Sequence, residues 1–215
     1  MIYMEYIFVC MIAPLLIAIF MLKGEARRFI GFFILGIAAC LLSAYINSFV
    51  AVNLNDQGHV SLTFSQMLVQ VTPVLEEMMK ALPVFFFIAL VRPGREDIVP
   101  VAIAVGLGFA TFENIYYITQ YGATDFAFAL IRGFSAGVMH TICAAILGYG
   151  MARIYERKWI VLPGALALIC AASTFHAIYN LLSSSYGAWR TAGYILPLAC
   201  AAALLIWYKH PKAAE

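Results

Sequence analysis

The sequence predicts an all-α fold, a polytopic membrane bundle of about seven transmembrane helices. Of the 215 residues, 64% are hydrophobic and only 11% are charged, whereas roughly 25% of an average soluble domain is charged. The hydrophobic residues also form runs long enough to cross about 30 Å of hydrocarbon, which takes about 20 helical residues. We therefore expect one integral membrane domain over residues 1–215.

Seven hydrophobic runs account for most of the chain. They fall near residues 2–22, 29–52, 66–91, 98–118, 126–150, 159–182 and 190–208. The first run follows no basic segment and has no small-residue cleavage site. We expect it to be retained as a span instead of being removed as a signal peptide.

The basic residues indicate the orientation of the bundle. Ten of the 13 Lys and Arg residues lie in the loops after the first, third, fifth and seventh runs, one lies in the alternate loops, and two lie within runs. Because short cytoplasmic loops carry the excess of Lys and Arg, this distribution predicts an N-terminus outside and a C-terminus in the cytoplasm. It also predicts no nucleic-acid partner, since the charges are scattered over four loops and form no single patch.

The third run carries charged residues where lipid-compatible ones are expected. Glu76, Glu77 and Lys80 lie in this otherwise apolar stretch. A charge near the bilayer centre costs at least ~2.5 kcal/mol on insertion scales, so such residues usually face a bundle interior and serve a function. Lys80 lies one helical turn after both glutamates and can pair with either one. We expect one carboxylate to pair with Lys80 and the other to be free for chemistry, with both assignments open.

The Thr72-Pro73 sequence permits two structures for the start of this helix. Either Thr72 caps a new helix that begins at Pro73, or one helix runs unbroken from residue 66. Proline lacks an amide proton and fits the first turn of a helix. In both cases the glutamates lie in the outer half of the membrane or at its midplane.

The next three runs contribute further ionisable and polar side chains. The fourth run contains Glu113, the fifth contains His140, and the sixth contains His176 with Asn180 one turn later on the same face. At 1.5 Å per residue, Glu113 and His176 lie outward of their span centres, and His140 lies near the middle of its span. We expect these groups to meet the two glutamates in one pocket in the outer half of the membrane.

Other polar and small residues of these runs have simpler interpretations. Arg132 lies near the outer end of the fifth run, and we expect its side chain to extend to the membrane surface. Gly106 and Gly108 in the fourth run, and Gly133 and Gly137 in the fifth, are expected to allow close helix packing. The five cysteines have no metal-binding spacing and are expected to be small buried hydrophobic residues.

Carboxylates and imidazoles together are suited to activating water, as general bases or as ligands of a metal ion. We expect neither a serine nucleophile nor an aspartyl dyad, the latter because no Asp lies within a predicted span. Two other hypotheses use the same residues. They could relay protons in a proton- or cation-coupled transporter, or they could fix the helices of a non-enzymatic scaffold.

As a set, the motifs resemble those of the PrsW family of intramembrane proteases, which is related to the CAAX-processing and bacteriocin-immunity membrane proteases. The resemblance covers residues 73–180 and implies a catalytic core at about 66–182. The matching motifs are Glu76-Glu77-x-x-Lys80, Phe109-x-x-x-Glu113 followed by Asn114 and Tyr117, the His140 helix, and His176-x-x-x-Asn180. By this resemblance the supporting residues are Lys80, Phe109, Asn114 and Tyr117.

The resemblance implies site-1 type cleavage of a membrane-anchored regulatory protein, such as an anti-sigma factor, in a bacterial cytoplasmic membrane. By similarity to the CAAX-type enzymes, a glutamate of the pair and the motif-two residue would activate water, and His176 with Asn180 would stabilise the oxyanion. The motif-two residue is a histidine in those relatives and Glu113 here. This departure leaves two interpretations open: a glutamate-type enzyme without a metal, or a zinc site formed by Glu113, His140 and His176.

Overall fold

The computed structural model confirms the all-α fold class. It describes residues 23–56, 63, 66–121 and 126–209, and over these residues it contains no strand. The helices are α1 (Gly24–Asp56), a π-helix (Met67–Val71), α2 (Thr72–Val91), α3 (Arg95–Tyr121), α4 (Phe126–Ile154), α5 (Val161–Ser183) and α6 (Ala188–Lys209).

The last six predicted runs all coincide with helices, whereas the predicted run at 2–22 lies outside the described residues. α1 extends beyond the predicted 29–52 at both ends. Four helices, α1, α3, α4 and α5, are long and apolar enough to cross a membrane. α2 is shorter, at 20 residues, and carries the charged residues of the third run.

The junction before α2 is a change from a π-helix to an α-helix. Of the two structures that the sequence permits, the one in which Thr72 caps a new helix is excluded. Thr72 has right-handed helical dihedrals, and its backbone N–H donates to the carbonyl of Met67, as in a π-helix. Its hydroxyl donates to Asn47 Oδ1 on α1 at 3.3 Å instead of capping α2. Pro73 accounts for the wider turn, because it has no N–H to continue the hydrogen-bond ladder.

α1 and α3 approach each other at backbone distance through two glycines. A Cβ atom on Gly36 would lie 2.1 Å from the carbonyl oxygen of Val105, and one on Gly108 would lie 1.9 Å from the carbonyl oxygen of Phe33. No side chain fits at either position without moving a backbone. The packing role predicted for Gly108 is therefore confirmed.

The remaining predicted glycines divide into one that packs and two that do not. A Cβ atom on Gly106 would lie 2.6 Å from Ala144 Cβ and 3.0 Å from the carbonyl oxygen of His140, so Gly106 sets the approach of α3 to α4. A Cβ atom on Gly133 or Gly137 would meet nothing within 4 Å among the described residues. The packing role predicted for these two positions is wrong, because the space that a Cβ atom would occupy is open among the described residues.

One end of the bundle is held by ion pairs between loops and helix ends. Arg28 Nη2 lies 2.6 Å from Asp97 Oδ1, which links the start of α1 to the start of α3. Arg95 pairs with Glu156, which links α3 to the segment after α4. We call this the ion-pair end, and it brings together segments that the charge distribution predicts on one side of the membrane.

α2 lies where the other helices converge. It packs against α1, α3, α4 and α5, so its inner face has no contact with the surroundings of the bundle. Glu76, Glu77 and Lys80 are all buried on α2. The fold therefore places the three charged residues of the third run in the interior, nearer to the end of the bundle that is opposite to the ion-pair end.

Candidate functional site

The ionisable residues that the sequence predicts to converge form one buried cluster. Glu76, Glu77 and Lys80 come from α2, His140 from α4 and His176 from α5, and none of the five is more than 7% exposed. The two imidazole rings meet edge to face with their centroids 5.0 Å apart. We refer to these five residues as the Glu/His cluster.

Glu77 is the carboxylate that pairs with Lys80. Lys80 Nζ lies 2.5 Å from Glu77 Oε1 and 2.8 Å from His140 Nδ1. The same Glu77 oxygen lies 2.8 Å from His176 Nδ1. Glu77 is thus held by an ammonium and an imidazole, and it fixes the orientation of His176 as carboxylates commonly do for functional histidines.

Glu76 lies in a different environment one residue earlier. Its Oε2 atom is buried, lacks a hydrogen-bond partner among the described residues, and lies 3.7 Å from His176 Nε2. An unpaired polar atom in a buried position costs free energy, about 1–3 kcal/mol for a typical group and more for a charged one. Glu76 is therefore the carboxylate that is available to a further ligand.

Glu113 on α3 borders the cluster beside His140. Its Oε2 atom lies 2.6 Å from His140 Nε2, and its side chain is 21% exposed. Phe109, one turn earlier, is fully buried. Its ring centroid lies 4.5 Å from Lys80 Nζ and 5.2 Å from the His140 ring. Phe109 and Glu113 thus line the cluster from the α3 side, whereas Tyr117 and Asn114 contact Arg132 and Gly133 on α4.

Arg132 is a residue whose position the sequence did not predict. Its side chain is only 15% exposed, and Nη2 lies 3.9 Å from Glu113 Oε1. Its guanidinium carbon lies 3.6 Å from the ring centroid of Tyr117 on α3. The expectation that Arg132 extends to the membrane surface is wrong, because a carboxylate and an aromatic ring on α3 are nearer partners. The available signal was that Arg132 and Lys80 are the two basic residues within the predicted spans.

Asn180 contacts the π-helix instead of the Glu/His cluster. Its Nδ2 atom donates to the carbonyl oxygen of Leu68 at 3.0 Å. In a π-helix that carbonyl would accept from the N–H of residue 73, and Pro73 has none. The N–H of Thr72 is also unavailable, since it bonds to Met67. The Asn180 amide therefore replaces the donor that Pro73 lacks, and it ties α5 to the start of α2.

α4 contains a match to the Gly-x-Ser-x-Gly pattern of serine hydrolases, Gly133-Phe-Ser135-Ala-Gly137. We expected no serine nucleophile without taking this match into account. A nucleophile elbow requires a sharp turn between a strand and a helix. Ser135 lies in the middle of the continuous helix α4 and is fully buried, so the pattern does not form an elbow.

The Glu/His cluster has a donor set that suits a metal ion. One ligand atom from each of Glu76, His140 and His176 lies within 4.8 Å of the other two. Three protein ligands and a water molecule are typical of catalytic zinc. The carboxylate of this geometric set is Glu76, whereas the sequence analysis proposed Glu113.

The charges and contacts of the site also bear on a metal. When Glu76 is ionised and the imidazoles are neutral, the three carboxylates exceed the two basic side chains, Lys80 and Arg132, by one charge, which a bound cation would balance. Both His140 nitrogens are engaged, one with Lys80 and one with Glu113. The residues fit a metal ion provided that His140 exchanges one of these contacts for it.

Comparisons with known proteins confirm the family that the sequence resembles. The chain matches the family described as PrsW family intramembrane metalloprotease over residues 25–208. It is 34% identical over 121 residues to Protease PrsW from Shouchella clausii (strain KSM-K16), which corresponds to 53% of this chain and 52% of that protein. The chain therefore spans about half the length of the curated relative that it matches. No solved structure matches the chain.

Proposed function

We propose that this chain, which belongs to the PrsW family of intramembrane proteases, hydrolyses a peptide bond of a membrane-anchored protein at the Glu/His cluster. The observation that carries the proposal is the facing pair of Glu76 Oε2 and His176 Nε2, at 3.7 Å. One partner is a buried carboxylate oxygen without a hydrogen bond, and the other belongs to an imidazole that Glu77 holds. Such a pair is suited to binding and deprotonating a water molecule.

The contacts of His176 are suited to one neutral tautomer. A neutral His176 that donates its Nδ1 proton to Glu77 keeps a lone pair on Nε2. A water molecule within reach of Nε2 and of Glu76 Oε2 then has acceptors for its protons. Lys80 keeps Glu77 ionised, so Glu77 remains an acceptor while Glu76 changes its protonation.

In the metal-free version of the reaction Glu76 is the general base. It removes a proton from water while the water oxygen attacks the scissile carbonyl carbon. The carbon–nitrogen bond then breaks, and Glu76 returns the proton to the leaving amine. Glu113 and His140, joined by a 2.6 Å hydrogen bond, orient the water from the α3 side.

In the metal-dependent version Glu76, His140 and His176 would hold the ion, zinc being the candidate. A bound zinc ion would supply a water of lowered pKa and would polarise the carbonyl. Glu113 would then serve as the general base. Metal analysis of the purified protein together with activity in chelator distinguishes the versions: an active, metal-free enzyme removes the second.

Asn180 is better suited to positioning than to oxyanion stabilisation. Its amide is committed to the Leu68 carbonyl, and this contact holds α5, and with it His176, against the π-helix. We therefore assign to Asn180 the packing of α5 against the start of α2, and we assign to His176 the binding of the water molecule through the Nε2 lone pair.

We further propose seven spans, with residues 2–22 as the first, an external N-terminus and a cytoplasmic C-terminus. The ion-pair end is then cytoplasmic, and the Glu/His cluster lies in the outer half of the membrane, within a core at about 66–182. This depth suits site-1 type cleavage of a membrane-anchored regulatory protein such as an anti-sigma factor. Family membership favours proteolysis over the transporter and scaffold hypotheses.

The test is cleavage of a single-pass peptide by the purified protein in detergent, with products identified by mass spectrometry. We expect the wild-type protein to cleave and His176→Gln to lose at least ~100-fold in rate, the scale of general acid–base catalysis. Thr174→Ala is the matched control, because Thr174 lies on the same helix, is exposed, and donates its hydroxyl to the Cys170 carbonyl within that helix. Full activity in His176→Gln would exclude the proposed site.

A further inference from the structure

Arg132 has hydrogen-bonding capacity that the described residues do not use. Its Nε atom is buried and has no hydrogen-bond partner among the described residues. Glu113 Oε1 lies 3.9 Å from Nη2, which is beyond hydrogen-bond distance. The Tyr117 ring covers a face of the guanidinium but leaves the N–H groups at its edges. An arginine has five N–H donors, so this side chain is equipped to bind an acceptor.

Unpaired polar atoms are concentrated around this arginine. Ser135 follows Arg132 by one turn on α4, and its buried hydroxyl makes no hydrogen bond of ordinary geometry with the described residues. The same holds for the hydroxyl of Tyr179 on α5, which interacts with the Ser135 hydroxyl, and Tyr179 packs in the same apolar cluster as Ala136. On α3, Asn114 donates to the Gly133 carbonyl at 3.4 Å, while its Oδ1 atom is buried and unpaired.

Together these groups account for four of the six unpaired buried side-chain polar atoms among the described residues. We call them the Arg132 subsite; its members are Asn114, Arg132, Ser135 and Tyr179. Buried polar groups in native proteins are normally hydrogen-bonded. A concentration of unpaired groups beside a candidate active site therefore indicates a place where a ligand supplies the missing partners.

The mixture of donors and acceptor selects the class of ligand. Arg132 and the two hydroxyls donate, whereas Asn114 Oδ1 only accepts. A peptide backbone presents both carbonyl oxygens and N–H groups, and therefore complements the whole set. An anion would leave Asn114 Oδ1 unpaired, and it would be repelled by the Glu113 carboxylate beside Arg132.

Hydrolysis inside a membrane creates a need for such a subsite. A transmembrane helix must unwind before its peptide bond can be attacked, and the freed backbone groups find no water in the hydrocarbon region. The protease has to satisfy them. The Arg132 subsite is connected to the Glu/His cluster through Glu113, which contacts both Arg132 and His140.

We propose that the Arg132 subsite binds the backbone of an unwound substrate segment next to the scissile bond. Arg132 donates to a substrate carbonyl oxygen, and Asn114 accepts from a substrate N–H. Arg132 is thus a substrate-binding residue outside the motifs that define the Glu/His cluster. This inference rests on the proposed proteolytic function and specifies how its substrate is held.

The experiment measures peptide binding in the absence of cleavage. A fluorescent single-pass peptide is titrated with detergent-solubilised Glu76→Gln protein, with and without the further change Arg132→Gln. We expect a Kd about 10- to 100-fold weaker with Arg132→Gln, the scale for losing a charge-assisted hydrogen bond. Tyr179→Phe and Ser135→Ala, which each remove one hydroxyl and keep the packing, should weaken binding by a smaller factor.

Backbone recognition has a specific signature. Replacing one amide near the scissile bond by an ester removes an N–H and weakens the carbonyl as an acceptor. This replacement should weaken binding to the Glu76→Gln protein and have a much smaller effect once Arg132→Gln is present. Arg190→Gln is the control for a general loss of positive charge, since Arg190 is exposed and bonds to the Ser185 carbonyl.

Three results separate the outcomes. If Arg132→Gln, Tyr179→Phe and Ser135→Ala, each in the Glu76→Gln background, left the Kd equal to that of the Glu76→Gln protein, the subsite would be overturned. Proteolysis by the wild-type protein would remain intact. An effect of Arg132→Gln that requires an acidic residue in the peptide or anionic lipid in the detergent micelle would also overturn it, in favour of an anion site. Failure of the wild-type protein to cleave and of the Glu76→Gln protein to bind would instead reject the proposed function.

Discussion

Pairs of opposite charge occupy two contrasting regions of the molecule. At the ion-pair end, the Arg95 and Glu156 side chains are 61% and 53% exposed, and the Arg28–Asp97 pair is partly exposed. In the Glu/His cluster, Lys80 and Glu77 are 2% and 3% exposed. Each region contains a basic side chain that contacts a carboxylate oxygen, so burial is the variable that distinguishes them.

The two regions use the same kind of ion pair for different purposes. Exposed pairs are screened by water and salt, and they contribute little to stability. A buried pair loses its hydration and is held in one geometry by its neighbours, so removing one partner leaves an uncompensated charge. The buried Lys80–Glu77 pair therefore fixes the position of the Glu77 carboxylate against His176. The exposed pairs join helix ends.

The largest expected effect is that of Lys80→Met. This change leaves Glu77 buried without its ammonium partner, and removal of one member of a buried pair typically costs about 3–5 kcal/mol. We expect a correspondingly lower free energy of unfolding, measured by denaturant titration in detergent. The double variant Lys80→Met with Glu77→Gln should recover much of the loss. If Lys80→Met had the same free energy of unfolding as the wild type, the buried pair would be no more important for stability than the exposed pairs.

A smaller effect is expected at the seam between α5 and the π-helix. Asn180→Ala removes the donor to the Leu68 carbonyl and should cost about 1 kcal/mol or somewhat more. In a Pro73→Ala background residue 73 regains an N–H, so the cost of Asn180→Ala should fall, as a double-mutant cycle measures. Strictly additive costs would mean that the asparagine does not replace the missing proline N–H.

The smallest effect is expected at the ion-pair end. The hydrogen bond from Arg95 lowers the pKa of Glu156, so this pair is stabilising above the usual pKa of a glutamate and weakens as the pH falls through the lowered value. Because both side chains are exposed, Arg95→Gln should leave thermal unfolding in detergent unchanged at neutral pH and moderate salt. A large loss of stability would place this pair in the same category as the Lys80–Glu77 pair.

Much of this architecture can be predicted from the sequence for physical reasons. Hydrophobic runs locate the helices because the bilayer requires about 20 apolar residues per span. The depth of Glu113, His140 and His176 along their runs predicts their convergence, because helical rise is constant. These two regularities also place them beside α2, whose charged residues need buried partners.

The sequence does not predict which partner each polar side chain contacts, because that choice depends on the positions of individual atoms. Glu76 and Glu77 both lie one turn from Lys80, so spacing alone cannot decide which of them pairs with it. The partner of Asn180 is a backbone carbonyl, Leu68, whose need for a donor arises from a proline five residues later. Arg132 was assigned to the membrane surface because its partners, Glu113 and Tyr117, lie on another helix.

We propose that Glu76 acts in the reaction and that Glu77 holds His176 in position. Glu76→Gln tests this proposal most directly. Cleavage of a single-pass peptide and the free energy of unfolding are measured on the same purified protein. We predict a rate at least ~100-fold lower with a stability within about 0.5 kcal/mol of wild type, because Glu76 Oε2 has no hydrogen bond to lose. Retained cleavage, or a loss of stability as large as that of Lys80→Met, would contradict the claim.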